Sequence, residues 1–268
     1  MSPVITFLSD YGHADEFVGV VHGVLVARCP DARILDISHG VPRHDVRAGA
    51  LMLARALPFM PPGVHLAVVD PGVGGSRRAV ALRCRREPWV LVGPDNGLLS
   101  LAADAGGGVS EAVEISASRW RSEAVSATFH GRDIFAPVAA RLASGESLPG
   151  CGVPLDPRAL IRIELPAPRR GADGALAVEV LAVDGFGNLM LTPGGLMAAG
   201  LEPGTRVAIT TNGQAVAATC ARTFTDVAPG ALALYGDAAG MLAIAVNSGS
   251  AAQALGVAPG DTVSLRVA

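Results

Sequence analysis

Ala67-Val-Val-Asp-Pro-Gly-Val-Gly-Gly-Ser-Arg-Arg78 reads as a buried strand that ends on a carboxylate and breaks into a glycine-rich turn. Val68 and Val69 are β-branched and suit a covered strand. Pro71 fixes its own φ and biases Asp70 toward an extended conformation as the strand stops. Gly72, Gly74 and Gly75 carry no side chain, so another group can approach the backbone closely. Arg77 and Arg78 follow. A carboxylate and a guanidinium thus stand at the carboxyl end of a strand, where open α/β sheets bind ligands. An ordinary turn with a capping Asp and solvated arginines uses the same residues, and this stretch alone does not separate the two.

Upstream, residues 4–8 form a short apolar run that stops at Ser9-Asp10-Tyr11-Gly12. Phe17, Val20, Val21, Val24 and Leu25 make one apolar stripe, so 17–28 is predicted helical, ended by Pro30. Residues 33–37 read as a strand, 46–57 as a second amphipathic helix and 64–69 as the strand entering the opening stretch. Downstream, 79–83 and 89–92 pair around Arg85-Arg86-Glu87-Pro88, and the second of these runs into Gly93-Pro-Asp-Asn-Gly97. A helix is expected from Leu98, and another over 134–143 after Phe129-His-Gly-Arg-Asp133. Strands alternating with helices predict an α/β domain with a mainly parallel sheet. The pattern changes after Leu165. Pro166-Ala-Pro-Arg-Arg-Gly-Ala-Asp-Gly174 is the linker candidate. Short strands at 176–183, 206–210, 231–235, 242–245 and 263–267 then predict a smaller all-β, barrel-like domain. The expected domains are 1–165 and 175–268, joined by 166–174.

The 268 residues carry a net charge of −3, with no block of like charge, which argues against nucleic acid or a polybasic membrane contact. Aromatics are only 4%, too few for a base-stacking platform. No stretch of about 18 apolar residues predicts a membrane span, and the start lacks a signal-peptide pattern. Cys29, Cys84, Cys151 and Cys220 have no metal-ligand spacing and read as reduced core residues of a cytoplasmic protein. The expected partner is a small molecule.

Four carboxylates stand at strand ends or turns: Asp10, Asp15, Asp70 and Asp95. Carboxylates act as bases, accept sugar hydroxyls or bind hard metals. No His-x-His or HExxH spacing supports a metal, so none is expected. His130 precedes a helix, with Asp70 and Arg77 as candidate partners; a lone His is more often structural. A positioned base would help water act as a nucleophile, an effect worth about 10²–10⁴-fold. Asp184-Gly-Phe-Gly-Asn188 and Asn247-Ser-Gly-Ser250 are turns by default, but they also offer a carboxylate, an amide able to pair with an adenine edge, and open backbone groups. Phe224 could stack on a base, but a single Phe is more often core.

Taken together, Phe7-Leu-Ser-Asp-Tyr-Gly12, Val69-Asp-Pro-Gly-Val-Gly74, Gly93-Pro-Asp-Asn-Gly97, Phe129-His-Gly-Arg-Asp133, Asp184-Gly-Phe-Gly-Asn188 and Ile244-Ala-Val-Asn-Ser248 resemble the S-adenosyl-L-methionine hydroxide adenosyltransferase family. These enzymes are the water-using relatives of the fluorinase and chlorinase. The resemblance implies hydrolysis of S-adenosyl-L-methionine to adenosine and L-methionine, with no metal or organic cofactor. It implies that Asp70, Arg77 and His130 manage the attacking water, and that the turn glycines leave room for ribose and water. Halogenating relatives have tyrosine at the Asp70 position, lack the matching His and carry an extra loop after the arginine. By the same match Asp10 holds the ribose hydroxyls and Asp15 and Asp184 face the methionine amine. Phe186, Asn188 and Phe224, with Asn247 and Ser248, frame adenine, and Phe129 completes the substrate-binding set. The family places its ligand between subunits of a homotrimer. Asp237-Ala-Ala-Gly240, Ala243 and His44 depart from the relatives at the methionine end. The alternatives are a halogenase, a non-catalytic adenosine-binding module and, more distantly, a metal-dependent phosphohydrolase.

Overall fold

The computed structural model describes residues 2–193 and 199–267. The chain divides into two compact units, Met1–Ile163 and Glu164–Ala268.

In the first unit, β1 (Val4–Ser9), β2 (Arg33–Ser38), β3 (Gly63–Val68), β4 (Ala79–Cys84), β5 (Trp89–Pro94), β6 (Val109–Glu114) and β7 (Val153–Leu155) form one sheet in the order β2-β1-β3-β5-β4-β6-β7. The first four strands of that order run parallel, and the others extend the sheet antiparallel. Helices α1 (Phe17–Arg28), α2 (Val46–Ala56), α3 (Ser100–Ala105) and α4 (Ala136–Ala143) cover it, α1 meeting α4 and α2 meeting α3. The period-two alternation of a strand divides the core between two faces. Leu66 and Val68 of β3 join the cluster containing Val21, Leu25 and Val138, whereas Ala67 and Val69 join the one containing Leu53, Leu57 and Leu98. A run with both faces covered is apolar throughout, which is why 64–69 shows no alternation. Asp45 caps α2, its side chain accepting from Ala48 N at 2.9 Å. Because β1, β3 and β5 are parallel, their carboxyl ends share one edge, and Asp10, Asp70 and Asp95 follow them there.

The second unit holds β8 (Arg169–Arg170), β9 (Leu176–Val183), β10 (Leu189–Leu191), β11 (Arg206–Thr211), β12 (Gln214–Cys220), β13 (Leu232–Gly236), β14 (Leu242–Val246), β15 (Thr262–Val267) and the short helix α5 (Ala251–Leu255). The pairing β10-β14-β13-β12-β11-β15-β9 closes because β9 also pairs with β10, giving a seven-strand barrel with β8 added on β9. Closure removes the exposed edges that a small sheet would otherwise present. Arg169 and Arg170, inside the expected linker, are thus ordered by pairing with β9.

All four cysteines are buried and unpaired. Among the described residues no helix is long and apolar enough to cross a membrane.

His65, on β3, is fully buried, with Nδ1 3.0 Å from Thr6 Oγ1 and no partner for Nε2. Burial pushes its pKa down to about 4 from 6.5. The folded protein therefore excludes a proton that the unfolded chain accepts, so stability is full above about pH 6.5 and is lost as pH falls toward 4. At about 1.4 kcal/mol per pKa unit the loss is of order 2–3 kcal/mol. Denaturant titrations at pH 7 and pH 4.5 should show it, and His65→Leu should shrink the difference by that amount.

Candidate active site

The opening stretch builds the centre of the site. Asp70 leaves β3 and meets Arg77 across the turn. Arg77 Nε donates to Asp70 Oδ1 at 2.8 Å and Oδ2 at 3.0 Å, and Nη2 also binds Oδ2. Both side chains are nearly buried, 5% exposed for Asp70 and 10% for Arg77. The guanidinium also lies over the Phe135 ring, 5.2 Å from its centroid. Its Nη2 sits 2.7 Å from His130 Nδ1. A guanidinium can only donate, so Nδ1 accepts, and neutral His130 carries its proton on Nε2. Burial first, then the Arg77 charge, holds the His130 pKa below its ordinary value, against the opposing pull of Asp70 and Asp133.

Two of the turn glycines are required by this packing. Gly74 has φ +76°, and a Cβ there would stand 2.2 Å from Ala127 O. A Cβ on Gly72 would stand 3.2 Å from Arg77 Cγ. The empty positions admit the 127 loop and the Arg77 stem.

His130 is followed by a π-helical turn, Gly131–Phe135, in which Ala136 N reaches back to Gly131 O. Such turns recur at functional sites. The turn faces Tyr11, whose ring lies edge-on to Phe7 and Phe129 and tilted against Phe17, with centroids 5.9–6.2 Å apart. Burial, with Asp10 and Asp70 nearby, raises the Tyr11 pKa, so its phenol stays protonated. A Cβ on Gly131 would fall 2.2 Å from Tyr11 Oη. Phe7, Phe17 and Phe129 hold the ring, so Gly131→Ala should cost about 1–3 kcal/mol by overpacking. Denaturation followed by Trp89 and Trp120, which both report on the first unit, measures that loss.

These groups open on a cleft of about 400 Å³, lined in part by Asp10, Tyr11, Asp15, Asp70, Phe129 and His130. That volume suits a small ligand. Asp10 is oriented by His44, whose N–H donates to Asp10 Oδ2 at 2.9 Å. His44 adopts φ +66°, a conformation rare outside glycine. Phe17, expected on the core stripe of α1, is instead exposed and lines the same cleft.

Asp95 stands apart. Its buried carboxylate receives Arg78 Nε at 2.8 Å, Arg78 Nη2 at 2.6 Å and Ile161 N at 2.9 Å. Arg78 also donates to Ala159 O. Arg78, which looks solvated in the sequence, is a structural partner. A second cavity, about 390 Å³, includes Asp95 in its wall, but that carboxylate is already spent on these bonds.

The other six predicted residues belong to the second unit. Asp184 closes its own turn: Oδ1 accepts from Phe186 N and Asn188 N, and Oδ2 from Asn188 Nδ2, each at 2.9 Å. That turn is tied to α5 by Ala252 N, which donates to Gly187 O at 3.0 Å. Asn247 Nδ2 donates to Val227 O at 2.8 Å, which anchors the segment after Phe224. Ser248 has φ +63° and donates to Asn247 Oδ1. Phe186 is 83% exposed and Phe224 44%, the latter edge-on to Tyr235. Three turns carrying all six residues are thus linked by hydrogen bonds. Sequence reasoning passed over Tyr11 and Thr128 as cleft residues, although Tyr11 lies beside Asp10 in a quoted motif; His44 stands out in the sequence, but its positive φ has no sequence signal.

Residues 5–152 match the model of the SAM hydroxide adenosyltransferase N-terminal domain, and residues 178–264 that of the C-terminal domain. The chain is 51% identical over 260 residues to a Salinispora tropica protein named (R)-S-adenosyl-L-methionine hydrolase, covering 97% of this chain and 96% of that one. It is 30% identical over 292 residues to a Nocardia brasiliensis fluorinase, covering 99% and 97%. The crystal structure of an uncharacterized conserved protein from Thermotoga maritima superposes with a TM-score of 0.90 at 37% identity, covering 97% of this chain and 99% of that one.

Proposed function

The chain belongs to the SAM hydroxide adenosyltransferase family, and from that membership and the Asp70–Arg77–His130 constellation we infer that it hydrolyses S-adenosyl-L-methionine to adenosine and L-methionine. Water attacks the ribose C5′. The new O–C5′ bond forms as the C5′–S bond breaks, and its electron pair leaves on sulfur, which turns from sulfonium to neutral thioether. A sulfonium leaves without protonation, so the site needs an oriented, deprotonated water and little else.

The observation that carries the assignment of roles is the contact of Arg77 with His130 Nδ1. It commits neutral His130 to donating from Nε2, so His130 orients the water. Asp70, held by Arg77 but keeping acceptor capacity on its oxygens, takes the proton. Arg77 fixes both. Asp10, pre-set by the His44 N–H, accepts the ribose hydroxyls, and Asp15, Asp184 and Phe129 bind the methionine end and sugar. Phe186, Asn188, Phe224, Asn247 and Ser248 take adenine. Two half-exposed or exposed rings on one unit support a reading in which a neighbouring subunit covers the ligand in a homotrimer. Four buried, unpaired cysteines support a cytoplasmic setting.

The test is incubation with S-adenosyl-L-methionine in chloride and in fluoride, with and without EDTA, followed by chromatography. Adenosine and methionine in equal amounts, unaffected by EDTA, are expected. A 5′-halonucleoside would make it a halogenase. Tight binding without product would make it a binding module, and loss of turnover in EDTA would overturn the cofactor-free mechanism.

A further inference from the structure

Away from the cleft chemistry, His22 on α1, Asp36 on β2 and His39 just beyond β2 bring three ligand atoms within 4.8 Å of one another. His22 Nε2 lies 2.9 Å and His39 Nε2 3.1 Å from the same oxygen, Asp36 Oδ1. The His39 side chain is fully buried, and its Nε2 is off the line of a hydrogen bond and has no such partner. Its other nitrogen, Nδ1, is 2.7 Å from Ser9 Oγ, which accepts from Tyr11 N at 3.3 Å. With the proton on Nδ1 and donated to Ser9, Nε2 is left with a free lone pair beside Asp36 Oδ1. A buried imidazole with one nitrogen anchored and the other unpartnered is the arrangement that metal-ligating histidines adopt.

We propose that His22, Asp36 and His39 form a binding site for one divalent transition-metal ion of the zinc class. Two imidazoles and one carboxylate favour Zn²⁺, Co²⁺ or Ni²⁺ over Mg²⁺ and Ca²⁺, which prefer all-oxygen shells. Tetrahedral donors around such an ion stand about 3.3 Å apart, given metal–nitrogen bonds near 2.0–2.1 Å. The observed 2.9 and 3.1 Å need to open by only a few tenths of an ångström, and the two imidazole nitrogens, within 4.8 Å of each other, must settle to the same spacing. His22 and Asp36 can yield, being 32% and 38% exposed, and their open side gives the ion an entry path and room for a water ligand. His39 is also tied to the turn after β1, since its carbonyl accepts from Gly12 N at 2.7 Å. A bound ion therefore ties α1 to the segment at the end of β2.

The test uses the full chain without an affinity tag, stripped with EDTA and desalted, then titrated with Zn²⁺ by calorimetry and with Co²⁺ by its tetrahedral d–d absorption. One ion per chain is expected, with a rise in Tm on binding. His39→Ala removes a buried group and can unfold the chain, so the deciding variants are the half-exposed His22→Ala and Asp36→Asn. Each should weaken binding by at least about 10-fold. Failure of the stripped protein to bind Zn²⁺ at stoichiometric concentrations, or binding that both variants leave unchanged, overturns the proposal. None of these readouts uses turnover, so the result stands apart from the hydrolase reading.

Discussion

Asp70→Asn lowers kcat for adenosine formation by about 10²–10⁴-fold, the range expected when a positioned general base is removed. Asn keeps the size of the side chain but cannot take the proton from water. It also turns an NH₂ group toward the Arg77 donors, so one of the two oxygen anchors is lost. KM changes little, because Asp70 acts on the water rather than on substrate hydroxyls. His130→Ala loses less, roughly 10-fold, because it removes one hydrogen bond to the water. Steady-state rates of the two variants decide the assignment. A larger loss from His130→Ala than from Asp70→Asn would reverse their roles, and full-rate turnover by Asp70→Asn would remove Asp70 from the mechanism.

Arg77→Met costs about 3–5 kcal/mol of stability in the first unit, the penalty for stranding a buried charge. Asp70 is 5% exposed, and Arg77 is its guanidinium partner. Met replaces the aliphatic stem over Phe135 but supplies no donor to Asp70 or His130. Urea titration followed by tryptophan fluorescence isolates this effect, since Trp89 and Trp120 both lie in the first unit. Adding Asp70→Asn to Arg77→Met should restore most of the lost stability, because the stranded charge is gone, without restoring turnover. Equal stability of the single and double variants would show that the pair is not the source of the loss.

Much of the fold is legible in the chain. The 17–28 helix and the 176–183 strand stand where their periodicity places them. The expected hairpin around Arg85-Arg86-Glu87-Pro88 is the antiparallel pair β4–β5. Other elements leave weaker traces. β12, Gln-Ala-Val-Ala-Ala-Thr-Cys, is rich in alanine and owes its strand form to pairing with β11 and β13 rather than to propensity. β7 has three residues including a proline and is held at the sheet edge by β6. The 134–143 helix begins earlier, as a π-helical turn from Gly131, where a glycine is needed beside Tyr11. In the site, Asp10, Asp15, Asp70, Phe129 and His130 are each visible as residues in turns or at element ends, but their convergence on one cleft is not. Asp95 and Arg78 mislead: one looks like a site carboxylate and the other like a surface cation, yet they neutralise each other. The His22, Asp36 and His39 cluster has no motif spacing, since one ligand comes from α1 and two from the end of β2.

By itself the sequence determined the two-part architecture, the family and the chemical types available, because periodicity, turn residues and short motifs are local and survive in one dimension. Only the tertiary structure decided which of those groups act together. Arg77 joins Asp70 to His130 across 53 residues of chain from His130, and the direction of its N–H bonds sets which nitrogen of His130 carries the proton. Burial then raises the cost of leaving either charge alone. Hydrogen-bond direction and desolvation are properties of packed atoms, and no spacing along the chain encodes them.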